Sequence, residues 1–301
     1  MADGVVRPPM TIATGIGLKV LSVMLFAGME GLSKQLTTDY SVVEVAFFRH
    51  AFAFVPLFPF LLRNGGIWNT IKTDRPFSHL FRSMFGLSAL LLILYAISKL
   101  PLTDVASILF TAPILITALS VPLLGEAVGI RRWSAVCVGF VGVLIILNPA
   151  GNVFDIGALA AFAGALLSAC ALITVRRLSR TEPSARIVFY FTLMGTAMTA
   201  AALPWFWTTP TLIDLAMLIS IGILGGLGQI TMTYAVHNAP VSIIVPFDYT
   251  KLIWVVILDL VIWSSVPDPR VAVGATIIVM SGLYILHREG RVRKTKAKQG
   301  S

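Results

Sequence analysis

The sequence predicts an all-α integral membrane protein whose ten helices cross the bilayer, with both termini in the cytoplasm. Three observations carry that expectation. Hydrophobic residues make up 57% of the 301-residue chain and charged residues 12%, against roughly 45–50% and about 25% in soluble globular proteins. The apolar residues fall in continuous runs of about 20, long enough to cross hydrocarbon as helices, and not in the alternating ten-residue segments of a transmembrane β-barrel. The Lys and Arg residues are concentrated in alternate breaks between those runs, the asymmetry that fixes orientation. No hydrophilic stretch is long enough for a soluble catalytic or nucleotide-binding domain.

Taken in order, the spans are expected at roughly 17–36, 41–62, 77–98, 103–124 and 132–148, then at roughly 155–176, 186–207, 212–236, 241–263 and 268–287. The first run is too long for a signal-peptide core and lacks a small-residue cleavage site, so it reads as a retained span. With the amino terminus inside, the cytoplasmic side receives Arg7, Lys19, the group from Arg63 to Arg82, Arg131, Arg132, the group from Arg176 to Arg186 and the basic tail. The outside receives only Lys34, Lys99 and Arg270, while Arg49 and Lys251 fall within spans. The same distribution explains the net charge of +9: the tail HREGRVRKTKAKQG anchors topology and attracts anionic lipid weakly, and no nucleic-acid partner is expected. Cys137 and Cys170 both lie in apolar runs and read as buried free thiols.

The two halves of the chain resemble each other. YAISKLPLTDVASILFTAP, from Tyr95, corresponds to YAVHNAPVSIIVPFDYTKL, from Tyr234, with Pro101 and Pro240 at the same offset. GFVGVLII, from Gly139, shares its small-residue spacing with GATIIVMSGLYIL, from Gly274. Five spans per half is odd, so the second copy enters the membrane inverted, an architecture of secondary transporters that places substrate near the midplane. Pro113, Pro122 and Pro246 interrupt the fourth and ninth spans, either as packing kinks or as places where carbonyls open toward a cavity.

The run from Leu94 to Leu147 resembles the EamA repeat of the drug/metabolite transporter superfamily. It is marked by Tyr95-Ala96, Pro113, Leu124-Gly125-Glu126 and the Gly139/Gly142 pair. The second half, with Pro246-Phe247-Asp248-Tyr249, Gly274 and Gly282, is similar to its partner copy, except that Ser264-Ser265 stands where Gly-Glu closes the fourth span. The resemblance implies a first repeat over 1–150, a second over 151–290 and a basic cytoplasmic tail over 291–301. It also implies a secondary transporter of the bacterial inner membrane, not an enzyme, working by alternating access on a small metabolite without a cofactor. Amino-acid export is the first expectation. Uptake of S-adenosylmethionine, riboflavin or a similar nucleoside-like metabolite is the alternative, because Phe-Asp-Tyr followed by Val-Pro-Asp and Gly-Leu-Tyr resembles that subgroup. Coupling to a proton gradient and monomeric or dimeric assembly are left open.

Charges within the spans nominate the site, since each costs at least ~2.5–3.5 kcal/mol at the bilayer centre unless partnered. Glu30 and Lys34, four apart, and Asp248 and Lys251, three apart, can pair along their own helices. Arg49 has no such neighbour, because Glu44, five residues away, points about 140° around the helix. It needs an interhelix carboxylate, with Asp248 and Glu30 as candidates, or the carboxylate of a substrate. Tyr95 and Tyr234, Phe110, Phe247 and Tyr249 are candidate aromatic walls, and Gln229 is a polar group at depth. Gly222 and Gly226 have the small-xxx-small spacing of close helix packing. His237 reads as solvated, and His50 adjoins Arg49, whose charge discourages protonation. No Walker loop, HExxH or Cys/His cluster occurs, so no metal or ATP chemistry is expected. An intramembrane enzyme using Asp248 as acid or base, and a channel, are the competing classes.

Overall fold

The computed structural model describes residues 12–63, 72–112, 114–116, 118–119, 130–147, 155–238 and 245–299. The expected features at Arg7, Pro113, Pro122, Leu124-Gly125-Glu126 and Pro240 lie outside them, as do the side chains of Arg131, Arg132, Pro246 and the tail from Arg288. Among the described residues all regular structure is helical: α1 (Ile12–Leu36), α2 (Val42–Ala51), α3 (Phe54–Arg63), α4 (Pro76–Lys99), α5 (Leu102–Leu109) and α6 (Ile130–Leu147), followed by α7 (Ile156–Leu178), α8 (Ser184–Ala202), α9 (Leu212–Asn238), α10 (Lys251–Trp263) and α11 (Pro269–Gln299). Six helical segments are long and apolar enough to cross a membrane, and three shorter apolar helices accompany them.

Local chemistry explains where these helices begin and break. The hydroxyl of Ser41 accepts the Glu44 N–H at 3.1 Å and starts α2. The second expected span is divided at Phe52–Ala53, because Pro56 has no N–H to donate and its ring excludes an α-helical carbonyl at residue 52. Pro76 stands at the first position of α4, where its fixed φ and missing donor cost nothing. Asp155 accepts from Gly157 N at 2.7 Å and Ala158 N at 3.3 Å to cap α7. The expected ninth span is also broken: Val245–Thr250, which contains Pro246, is a 3-10 turn, and only then does α10 begin. Ser264 closes α10 in the left-handed region, at φ 51°. The basic tail continues α11 as helix through Gln299.

The helices pack in pairs that join the first half of the chain to the second. α1 lies on α9, α2 on α8, α4 on α7, α5 on α10 and α6 on α11. Small residues make the closest of these contacts. A Cβ on Gly142 would meet the Gly274 carbonyl at 2.8 Å, and one on Gly274 the Gly142 carbonyl at 2.7 Å, so α6 and α11 touch backbone to backbone. The Ser281 hydroxyl bonds the Ala135 carbonyl across the same seam. Gly222 and Gly226 of α9 do what their spacing predicts, lying against Phe48, Phe52, Ala53 and Pro56 of the α2–α3 corner. The outward faces carry exposed Phe58, Leu62, Phe81, Val141, Val261 and Ile262, a surface suited to hydrocarbon and unsuited to water. Cys137 departs from expectation: it is exposed and Cys170 half-buried. Cys137 stands two residues, about 200°, around α6 from the Gly139 contact face.

Candidate functional site

A cavity of about 300 Å³ opens in the centre of the bundle, at the small end of the range for small-molecule sites. Its wall draws on both halves of the chain: Glu30 from α1, Arg49 from α2, Arg82 from α4, Phe191 from α8, Gln229 from α9, and Asp248 with Lys251 around the start of α10. Most of the remaining lining is aliphatic, so the few polar groups set what the cavity prefers to hold.

The lysines of α1 and α10 pair with carboxylates of other elements, which corrects the expected pairing along single helices. Lys251 Nζ lies 2.6 Å from Glu30 Oε1, and Lys19 Nζ lies 2.6 Å from Asp248 Oδ1. Lys34 Nζ lies 3.2 Å from Asp259 Oδ1 and also 4.4 Å from the centre of the Trp263 ring. Spacing shows which groups on one helix can meet, whereas here α1 packs along the 3-10 turn and α10 and supplies a partner to each. Asp259, 1% exposed, also accepts from Leu102 N at 3.2 Å and from Thr103 N and Oγ1, each at 2.7 Å. It therefore caps the start of α5, accepting from its first two N–H groups. Asp259 was missed in the sequence, although an acid inside WVVILDLVIW was the signal that could have found it.

Arg49 does not reach Asp248 or Glu30. Its Nη1 donates to His50 Nδ1 at 3.2 Å, which fixes that nitrogen as an acceptor because a guanidinium only donates. Its Cζ lies 5.2 Å from the centre of the Phe191 ring, and its Nε has no hydrogen-bond partner. Arg82 sits beside the same ring, with Cζ 4.0 Å from its centre. Arg82 and Lys19, both expected among the cytoplasmic charges, are 5% and 4% exposed within the bundle. Arg82 could have been recognised from its place two turns inside PFSHLFRSMFG, where each neighbour in sequence is apolar or small and polar. Glu44 accepts from Thr208 N at 3.1 Å and has no bond to Arg49.

The five other nominated residues stand apart from the cavity wall. Tyr95 packs in the core between α4 and its neighbours, with Lys99 Nζ 5.8 Å from its ring centre. Tyr234 packs on Phe60 at 5.8 Å, beside Leu57 and Ile230. Phe110 and Tyr249 meet edge to face at 5.1 Å, and the Tyr249 hydroxyl abuts Gly282. Phe247 is half-buried, and its carbonyl accepts the Thr250 hydroxyl at 2.7 Å. Gln229 is at the wall, 3.5 Å from the Thr233 hydroxyl. His237 is exposed at the end of α9, as expected of a solvated residue.

A separate polar cluster stands where α7 turns into α8. Glu182 accepts from Thr73 Oγ1 at 2.7 Å and from Arg186 Nη1 at 2.5 Å, with His79 Nε2 4.0 Å away. Burial pushes the Glu182 carboxyl up. The hydrogen bonds from Thr73 and Arg186, together with the Arg186 charge, outweigh it and hold the group below the usual carboxylate range. Among the described residues no group of His, Cys, Asp and Glu is arranged to hold a metal ion.

Comparisons with known proteins agree with this architecture. The S-adenosylmethionine uptake transporter of Rickettsia bellii is 30% identical over 286 residues, which span 95% of this chain and 98% of that one. The riboflavin transporter of Vibrio cholerae is 30% identical over 276 residues, 88% of this chain and 92% of that one. The pseudopaline exporter of Pseudomonas aeruginosa is 27% identical over 275 residues, 90% and 95% of the two chains. One solved crystal structure superposes with a TM-score of 0.65 at 18% identity, covering 90% of this chain and 95% of the other, a likeness of fold. The EamA-like transporter family matches twice, over residues 13–148 and 155–287. An all-helical bundle with membrane-length helices and this double match make the chain a membrane transporter, a member of the EamA-like transporter family.

Proposed function

We propose that the chain is a secondary transporter of the bacterial inner membrane that moves a zwitterionic metabolite by alternating access. It would do so as two inverted five-helix repeats making ten spans, with both termini cytoplasmic. The observation that carries this reading is the central cavity. An arginine without a carboxylate partner stands on its wall, and so do two carboxylates, Glu30 and Asp248, held by lysines. The carboxylate of a substrate meets Arg49, its ammonium takes the place of the lysine on Glu30 or Asp248, and its side chain lies along the aliphatic lining. An α-amino-acid end supplies both charges.

Amino acids and S-adenosylmethionine both carry that end, whereas riboflavin has neither charge. The likeness to proteins named S-adenosylmethionine uptake transporters over 95% of the chain favours uptake of that substrate. Amino-acid export is the second reading, supported by the likeness to an exporter. The test is uptake and counterflow in proteoliposomes with labelled amino acids, S-adenosylmethionine and riboflavin, with and without a proton gradient. Saturable flux of an α-amino-acid-bearing substrate, lost in Arg49→Gln while the variant stays folded in the membrane, is expected. Undiminished flux in that variant takes Arg49 out of the site. Flux of riboflavin alone overturns the zwitterion reading.

A further inference from the structure

Arg49 and Arg82 come from different helices and converge on one ring. Their guanidinium carbons lie 5.2 and 4.0 Å from the centre of Phe191, both side chains line the cavity, and both residues are 5% exposed. Neither forms an ion pair among the described residues, and Arg49 Nε, Arg82 Nε and Arg82 Nη1 have no hydrogen-bond partner. Structural arginines in apolar surroundings are held by carboxylates or carbonyls, because an uncompensated buried charge is strongly unfavourable. Here two like charges face the same space with donors unused.

The surrounding helices are shaped around them. A Cβ on Gly86 of α4 would collide with Arg82 Nη1 and come within 2.8 Å of Phe191. One on Gly225 of α9 would come within 2.9 Å of Met29 Sδ and stand 3.3 Å from Arg49 Cγ and Nε. One on Gly195 of α8 would fall 2.5 Å from Nδ1 of His50, the acceptor for Arg49. Three helices therefore leave out a side chain where the two arginines and their orienting histidine need room.

We propose that Arg49 and Arg82 together form one oxyanion-binding site, with Arg82 as the second arm that takes the carboxylate or phosphate of the transported molecule. The inference rests on the transporter reading above and extends it from one cation to a pair. A planar guanidinium presents donors in a fork matched to two acceptor oxygens. Two such forks bind an oxyanion more strongly than one and relieve their mutual repulsion by doing so.

The test is thermal unfolding of the full-length purified protein in detergent, as wild type, Arg49→Gln, Arg82→Gln and Arg82→Lys. The probes are L-methionine, L-methioninol, S-adenosylmethionine and inorganic phosphate. Wild-type Tm is expected to rise with at least one oxyanion-bearing probe and not with L-methioninol. Both glutamine variants are expected to lose that rise. Arg82→Lys, which keeps the charge without the fork, is expected to need at least tenfold more of the probe. Without any probe, Arg82→Gln is expected to melt at or above the wild-type temperature, since it removes an unpaired buried charge.

An Arg82→Gln protein that melts lower yet keeps the full rise makes Arg82 a structural residue and overturns the proposal. So does a wild type that no oxyanion in the set stabilises. A response to phosphate alone keeps the anion site and removes the amino-acid end as its ligand. Flux measured alongside separates the two conclusions: transport unaffected by Arg82→Gln leaves the transporter standing without this site. Oxyanion binding without flux leaves the site standing without the transporter reading.

Discussion

The lysines and the arginines of this bundle face the same problem and meet it in opposite ways. Lys19, Lys34 and Lys251 each end on a carboxylate of another helix, so charge leaves the apolar interior in neutral pairs that tie α1 to the 3-10 turn and α10. Arg49 and Arg82 end on an aromatic ring and open space, with donors unspent. A charge cancelled within the protein is a fastening. On the proposal made above, a charge kept uncancelled beside a cavity is an affinity, because its counter-charge arrives from outside.

That contrast can be broken experimentally, most forcefully at Asp259. Asp259→Ala strips Lys34 of its partner and the start of α5 of its cap, and is expected to cost about 3–5 kcal/mol, read from the folded fraction along an SDS titration. A loss below about 1 kcal/mol would make the lysine pairs no more structural than surface pairs. Glu30→Gln leaves Lys251 alone and should cost roughly 1.5–3 kcal/mol. Adding Lys251→Gln should restore much of that loss, and a double-mutant cycle reads the coupling. At Glu182 the carboxyl is depressed in the folded state, so its contribution is present above its unfolded pKa and disappears as pH falls through the lower folded value. Glu182→Gln is therefore expected to lose roughly 1 kcal/mol at neutral pH and to converge with wild type in acid, measured by denaturation at a series of pH values. The smallest effect is expected at Lys19. The Asp248 side chain is 41% exposed, and the pair is screened, so Lys19→Gln should change stability by at most about 1 kcal/mol.

The helices were legible because hydrocarbon demands long apolar runs, and the described helices fall within or close to the segments those runs mark out. The breaks at Phe52–Ala53 and Val245–Thr250 were less so. Pro246 reads as an interruption, while the corner before Pro56 lies inside an uninterrupted apolar run. Five of the ten candidate residues line the central cavity. Glu30, Arg49, Gln229, Asp248 and Lys251 announced themselves as polar groups in apolar surroundings and do stand at the cavity. Arg82 follows the Lys72–Arg75 loop closely in sequence and so reads as a topology charge, which gives no hint that it also lines the cavity. The aromatic nominations rested on repeat symmetry, and symmetry places a residue on its helix without saying which neighbour that face meets. Tyr95 and Tyr234 accordingly stand in packing, whereas Phe191 lies under both arginines.

The missing side chains at Gly86, Gly195 and Gly225 enlarge the site's mutational target. None of the three offers a chemical group that could recognise a solute. A change to alanine at any of them nevertheless pushes on Arg82, His50 or Arg49. A genetic screen for lost transport would therefore score these glycines beside the arginines, and for Gly195 and Gly225, which do not line the cavity, a map drawn only from solute contacts would leave the phenotype without a cause.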